Sequence, residues 1–548
     1  MTKKTLTLVI LFLTLHNFSF ACTNFLVGRK ASTDGSTFIS YAADSYYLFG
    51  ALTYSPRATY PEGAMRDIYD WDTGEYLGKI PQVAQTYSVI GNMNEYQVCI
   101  GETTFGGREE LVDTKGLIDY GSLIYIALER SKTAREAIKI MTDLVAQYGY
   151  YSEGESFSVA DPYEVWILEM TGKGVGNKGA VWVAQRIPDD CISAHANQAR
   201  ITQINFDDKE NCMYAPDVIA YAREKGYFSG KNTEFSFSDT YNPLDDVALR
   251  VCEARVWSFF KALNPEMYKY ISYVKGETKE RMPLWIKPAE KVSAQNLKDL
   301  MRDQYEDTEF DMTNGIGAGA FHTKLRHSPL TYTVDSVEYM HDRPIATQQT
   351  GFSFVGQMRG WLPRHIGGIF WFGVDDAASS VYVPVYCSTD SVPFSFSANN
   401  GSMIEYSATS AFWVFNTVSN FAYGKYSFLQ PDIKKIQHEW DNYFNALVPK
   451  TDKAVQTLPE EERVNYLTSI SCKQLDDVVV AWKKLFEYLL VKNLDGNVKK
   501  EANGKFVANE AKVPEIIRPG YPVEFAREMV KETPHFRVKS KAELDARK

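Results

Sequence analysis

The feature that most constrains this chain lies at its start. Lys3 and Lys4 precede an apolar run from Leu6 to Leu15, and Ser19 and Ala21 then place small side chains where a signal peptidase reads them. The run is too short to cross a bilayer as a helix, which takes about 20 apolar residues. The pattern predicts a secretory signal over residues 1–21, cut after Ala21, and a mature chain that begins at Cys22 in a secreted or periplasmic compartment. A retained anchor or a buried N-terminal strand fits the charge, run length and small residues less well. A first-residue cysteine carries a thiol and a free α-amine together, a nucleophile with its own base. A bacterial lipoprotein also begins with a cysteine, and lipidation there would consume the thiol. That signal favours an apolar residue such as Leu three before the cysteine, where this chain has Ser19 followed by Phe20.

A chain of 548 residues exceeds one ordinary core, so a large domain with an appendage is expected. Hydrophobic residues make up 45% and aromatic residues 14%, enough for a packed interior with strands and pockets. The formal charge of −10 becomes more negative when Lys3 and Lys4 leave, and no basic tract interrupts it. This argues against nucleic acid or an anionic membrane as partner. After the signal no stretch is long and apolar enough to span a bilayer. The seven cysteines form no CxxC pair, which argues against zinc and against a disulfide-stapled miniprotein. With Cys22 set aside six remain, most simply read as small buried apolar residues, their pairing left open. His322 and His327 lack the HExxH metalloprotease pattern, and neither metal nor cofactor is expected.

Along the chain, Cys22 to Arg29 and Thr37 to Tyr41 read as strands joined by an Asp34-Gly35 turn, a hairpin that fixes the terminus in a sheet. Asp44 lies just past the second strand. Residues 50–90, rich in Tyr, Pro and Gly, read as irregular structure that lines a cleft or covers the core. Strand signals surround Asn92 to Gly101. Residues 116–149 read as helical, with capping-box spacing at Thr133 and Glu136. Strands at 156–160, 163–170, 180–186 and 191–197 read as an antiparallel meander. Asn242-Pro243 is read as opening a helix with Asp245 and Asp246 near its positive end. Residues 277–350 read as short segments and loops, and strands return at 366–374 and 380–386. Leu475, Val478, Trp482, Leu485 and Leu489 form a helical stripe in a C-terminal appendage, expected to pack on the main domain. The pattern is of α+β type, helices layered on antiparallel sheet.

Cys22-Thr23-Asn24-Phe25 with Ala31 to Ser36, Asn94-Glu95-Tyr96-Gln97 with Gly101-Glu102-Thr103-Thr104, and Trp182-Val183-Ala184 leading to Ala196-Asn197-Gln198 resemble the cysteine dipeptidases of the N-terminal-nucleophile hydrolases. Secernins and, more distantly, choloylglycine hydrolase and penicillin V acylase are their relatives. The resemblance covers roughly residues 22–430. It implies a four-layer αββα sandwich over 22–430, with residues 431–548 as a mainly helical extension. It also implies Cys22 as nucleophile, Asp44 as the acid that orients the amine, Asn197 as an oxyanion donor, and Thr104 where distant relatives place a second donor. Such relatives often carry an Arg-Asn-x-Asp run where this chain has Tyr41-Ala42-Ala43-Asp44, so the arginine that contacts the thiol is missing there. Arg200 and Arg255 are the candidates to replace it.

The chemistry is self-consistent. A free α-amine, with a reference pKa of about 7.7–8.0, exchanges protons near neutral pH, and an oxyanion donor such as Asn197 is typically worth ~10²–10³ in rate. Asn197 and Asp44 also suit loop capping. Glu102 is a candidate for a substrate ammonium and Arg200 or Arg255 for a carboxylate, though each taken singly is better read as part of a structural ion pair. The expectation is an exported dipeptidase acting on a dipeptide or other small amide, its oligomeric state left open. The alternatives are an amidase for non-peptide amides, such as bile-salt or N-acyl conjugates, and a non-catalytic lipoprotein modified at Cys22.

Overall fold

The computed structural model describes residues 22–534 and 537–547; the signal segment 1–21 lies outside the described residues. The strands that position the site are β1 (Asn24–Val27), β2 (Thr37–Asp44), β3 (Cys99–Gly106), β4 (Gly154–Ala160), β5 (Val165–Gly172), β6 (Ala180–Arg186), β7 (Ile192–His195), β8 (Thr350–Met358), β9 (Gly368–Val374) and β10 (Val383–Tyr386). The helices are α1 (Tyr120–Arg130), α2 (Ala134–Tyr148), α3 (Ala254–Leu263), α4 (Ala411–Tyr423), α5 (Tyr426–Gln456) and α6 (Glu460–Lys492).

The described residues form two large antiparallel sheets. One has seven strands and runs from Trp285–Ile286 through β7, β1, β2, β8 and β9 to β10. The other has eight and runs from Cys212–Tyr214 through β6, β5, β4 and β3 to three short strands, Met93–Asn94, Val89–Ile90 and Tyr54–Ser55. The expected hairpin is present: β1 and β2 pair with Leu26 opposite Ile39 and Val27 opposite Phe38. Gly35 takes φ +87°, a left-handed value that glycine tolerates, and Asp34 Oδ1 accepts from Ser36 N at 3.0 Å to close the turn.

Alternation along the strands separates the faces. Phe157, Val159, Trp166 and Leu168 join Leu123, Ile126, Ile138 and Met141 of α1 and α2 in one apolar cluster. The opposite face of the eight-stranded sheet carries Val165, Ile167, Val181 and Val183, which join the core of the other sheet, with polar residues such as Thr103 and Ser158 among them. Gly101 lies so close to β2 that a Cβ there would sit 3.0 Å from Tyr41 Cβ. His195 bridges the two sheets, its Nδ1 2.7 Å from Thr103 Oγ1 and its Nε2 2.7 Å from Ser158 Oγ. Burial pushes this histidine down to about 3, so it is a neutral cross-link. The seven-stranded sheet also packs against helices: Phe259 of α3 stacks on Phe25 at 4.0 Å, and Trp482 of α6 lies in the same continuous core.

Several sequence expectations need correction. The helical stretch 116–149 is two helices. Thr133 Oγ1 accepts from Glu136 N at 3.2 Å, while the Glu136 carboxylate reaches back to Lys132 N rather than Thr133 N. Strand 191–197 does not continue the meander; β7 crosses to the other sheet and pairs with β1. Asn242-Pro243 does not open a helix but follows the short one at Phe237–Tyr241, and the next is capped by Asp245, whose Oδ1 accepts from Ala248 N at 2.7 Å. β8, which pairs with β2 along its length, had no sequence signal assigned to it. α5 runs without a break through residues 430 and 431. All seven cysteines are free. No described helix is long and apolar enough to cross a membrane.

Candidate active site

Cys22 sits at the head of β1, where the backbone of Thr23 pairs with Ala42 of β2. That pairing holds residue 22 against the end of β2. The residue is 5% exposed, and its thiol lies 3.6 Å from Glu102 Oε1 and 3.8 Å from Tyr41 Oη. Tyr41 Oη itself donates to Glu102 Oε1. Burial first, then the charges of Glu102 and Asp44, push the thiol well above its ordinary range; the Asp44 N–H and the Tyr41 hydroxyl act the other way.

The backbone nitrogen of Cys22 donates to Asn197 Oδ1 at 2.9 Å, and Asn197 Nδ2 donates to the Thr104 carbonyl at 2.6 Å. Asn197 stands just past β7 with φ +60°, a conformation asparagine tolerates better than most residues. Arg255, buried on α3, donates to the Cys22 carbonyl at 2.7 Å, to Thr23 Oγ1 at 2.9 Å and to Asn197 Oδ1 at 2.9 Å. It therefore grips the backbone on both sides of the amine position. Asp44, at the end of β2, accepts from Thr350 Oγ1 at 2.6 Å, and its Oδ2 is buried without a hydrogen bond. Burial pushes Asp44 up to about 7, against the pull of Arg343, Thr350 and Arg255. Arg343 is itself buried, and burial with repulsion from Arg255 lowers it to about 10, so it remains a cation near Asp44 and Cys22.

Glu102 and Thr104 both belong to β3. Thr104 Oγ1 donates to Glu155 Oε1 at 2.7 Å, so its hydroxyl is engaged away from an oxyanion. Glu155 lies across the ladder, paired with Thr104 and diagonal to Glu102. Burial raises both carboxyls; the charge of Glu102 raises Glu155 further, while the hydrogen bonds from Tyr41 and Glu155 hold Glu102 back, so Glu155 is the one that keeps a proton.

Cys22, Asp44, Glu102 and Thr104 line one cavity of about 360 Å³, with Tyr41, Asn92, Tyr120 and Phe352. Trp71, Asp72 and Thr73, at the tip of a hairpin formed by Met65–Tyr69 and Tyr76–Pro81, also line it. Asp70 Oδ1 accepts from Asp72 N and Thr73 N, both at 2.9 Å, which shapes the tip. Trp71 stacks on Tyr125 of α1 at 4.8 Å, and Tyr120 Oη donates to Asp72 at 2.9 Å.

Arg200 is elsewhere. It donates to Glu253 at 2.9 Å and to the carbonyls of Ala194, Leu284 and Pro283 at 3.0–3.2 Å, and it does not line the cavity. Neither Arg200 nor Arg255 contacts the thiol. Asn197 and Arg255 meet at the Cys22 backbone instead. Sequence reasoning missed Tyr41, which occupies the position of the absent arginine, and Arg343, which follows no motif. Tyr41 had a signal, since it shares a strand face with Ala43 and stands three residues before Asp44. Among the described residues no cluster is suited to hold a metal ion.

With this geometry in hand, comparison with known proteins is decisive at the family level. The family model described as Peptidase family C69 matches residues 21–439. The chain belongs to peptidase family C69. This C69 peptidase is 26% identical over 479 residues to a probable dipeptidase of Latilactobacillus sakei, covering 82% of this chain and 90% of that protein. It is also 26% identical to a probable dipeptidase of Salmonella dublin over 67% of this chain and 81% of that one. A probable dipeptidase A of Streptococcus pyogenes serotype M3 is 24% identical over 78% and 87% of the two chains. The match to the C69 model spans both sheets and ends within α5.

Proposed function

We propose that this C69 peptidase is an exported dipeptidase whose mature N-terminus is Cys22, and that its two sheets with flanking helices are the αββα sandwich of the N-terminal-nucleophile hydrolases. The observation that carries the reading is the convergence of the Cys22 thiol and backbone nitrogen on one small cavity, with the nitrogen held by Asn197 at 2.9 Å. Cleavage after Ala21 turns that nitrogen into an amine without moving it. The amine then takes the thiol proton, and Sγ attacks the peptide carbonyl. As the C–N bond breaks, the leaving amine receives that proton and a thioester remains. Water adds to the thioester, its proton passing through the same amine, and the C–S bond breaks to release the acid and restore the thiol.

The chain's own residues supply the rest. The α-ammonium places a cation beside a thiol that burial and acids otherwise keep protonated, and this favours the thiolate. Asp44, with an unfilled acceptor, orients the amine. Asn197 serves as amine anchor in this conformation; its oxyanion role requires Nδ2 to leave the Thr104 carbonyl. A cavity of about 360 Å³ suits a molecule of dipeptide size. The lipoprotein alternative is disfavoured by the buried thiol, which lies 3.8 Å from Tyr41 Oη and 3.6 Å from Glu102 Oε1 rather than at the surface.

N-terminal sequencing of exported protein, paired with dipeptide hydrolysis by Cys22→Ala, tests the reading. Cys22 should be the first residue, and the variant should fold with unchanged Tm and no turnover. Working enzyme that retains residues 1–21, or normal turnover by Cys22→Ala, overturns it.

A further inference from the structure

The cavity that receives the substrate is acidic. Among its described lining residues the carboxylic acids are Asp44, Asp72 and Glu102, and no Lys, Arg or His is among them; the buried cation Arg343 acts on Asp44 without lining the cavity. The arginines from which a carboxylate anchor was expected are engaged elsewhere: Arg200 binds Glu253 and backbone carbonyls, and Arg255 binds Cys22, Thr23 and Asn197. Asp44 Oδ2 belongs to a residue only 1% exposed and has no hydrogen-bond partner. Protonated Glu155 neighbours Glu102 across the ladder, so Asp44 Oδ2 is the acceptor left open, while Glu102 keeps its negative charge. A substrate carboxylate brought here meets like charge, whereas an ammonium meets opposite charge.

Position sharpens the assignment. The freed amine of Cys22 is itself one cation, and it belongs with Asp44. Glu102 remains, its Oε1 3.6 Å from Sγ. In a dipeptide the α-ammonium nitrogen lies about 2.5 Å from the scissile carbonyl carbon, given standard N–Cα and Cα–C bonds. An acid beside the attacking sulfur is therefore where that ammonium comes to rest. Asp72, at the hairpin tip, lines the same cavity as Glu102, and its charge raises the proton affinity of Glu102. Tyr120, which donates to Asp72, lies beside both acids.

Resting on the dipeptidase reading, we propose that Asp72 and Glu102 clamp the free α-ammonium of the substrate. The substrate's carboxylate forms no ion pair in this site, so dipeptide amides are substrates as well. Size, set by a cavity of about 360 Å³, limits the leaving group; its charge does not.

The test compares alanyl-alanine, alanyl-alaninamide and N-acetyl-alanyl-alanine as substrates of the processed wild-type protein and of Asp72→Asn. Wild type should hydrolyse the amide with kcat/KM within about fivefold of the free dipeptide, and the acetylated peptide at least about 100-fold less well. Asp72→Asn should raise KM for both unblocked substrates about tenfold, with kcat changed less than about twofold and Tm unchanged. Good hydrolysis of alanyl-alanine with a loss above about 50-fold on the amide overturns the inference while leaving the dipeptidase reading intact. So does equal use of the acetylated peptide, or an unchanged KM in Asp72→Asn. Failure of wild type on all three substrates removes the dipeptidase reading and the inference with it.

Discussion

Asn197 shows how much one residue's backbone can decide. Its φ of +60° aims the carboxamide back at the Cys22 nitrogen, and its side chain also meets Arg255 and the Thr104 carbonyl. Asn197→Ala should therefore lose two separable things. Alanine in a left-handed conformation costs about 1–2 kcal/mol of stability, and loss of the amine anchor should lower kcat about 10²-fold. Asn197→Gly should recover Tm without recovering kcat; recovery of both would mean the side chain only shapes the turn. Asp44 gives a pH signature. Its folded pKa is raised to about 7 against an unfolded value near 3.8, so between these values the native state holds a proton that the unfolded chain has released. The stability it contributes is fully present below about pH 4 and is lost as pH rises towards 7. The Cys22 ammonium favours ionised Asp44, so in processed protein the decline ends at lower pH. In Asp44→Asn, Thr350 can still donate to the retained oxygen. Its Tm relative to wild type should climb across that window and level off above it, and a constant difference from pH 4 to 7 would contradict the assignment.

At the scale of elements, the approach of β2 to β3 is what brings Tyr41, Glu102 and Cys22 together, and Gly101 permits it. A Cβ on Gly101 would lie 2.9 Å from Asn24 Nδ2 and 3.0 Å from Tyr41 Cβ. Gly101→Ala should cost about 1–3 kcal/mol through overpacking and should lower turnover by displacing Tyr41 from Glu102; denaturant unfolding and steady-state rates measure the two effects. The sequence was legible where local chemistry is strong. The β1–β2 hairpin follows from Asp34-Gly35, and the start of α2 follows from Thr133. It was not legible where tertiary burial erases the pattern. β8 is buried along its whole length, so no polar alternation marks it, and Gly351 and Gly356 weaken its strand signal. β7 has the spacing of a meander strand, and only pairing across the molecule with β1 shows that it leaves the sheet.

At the scale of the whole molecule, the C-terminal helices are part of the main core. Trp482 is fully buried, stacks on Phe415 at 4.6 Å and donates to the Ser379 carbonyl at 3.1 Å. Tyr386 of β10 reaches Asp452 of α5 at 2.8 Å, and Tyr423 of α4 reaches Asp376 at 2.7 Å. Trp482→Ala should cost about 3–5 kcal/mol, and a chain ending at residue 430 should fail to fold, which chemical denaturation and solubility would show. A stable, active chain ending there would mean the helices only decorate the domain. The sequence by itself determined the apolar run with its small residues before Cys22, the hairpin that anchors that cysteine, and the helical stripe of α6, because each depends on neighbours a few residues apart. The tertiary structure alone decided which arginines meet the Cys22 backbone, where Asn197 points and which acids face the cavity. Those contacts join residues about 60 to 300 positions apart, and no local period records them.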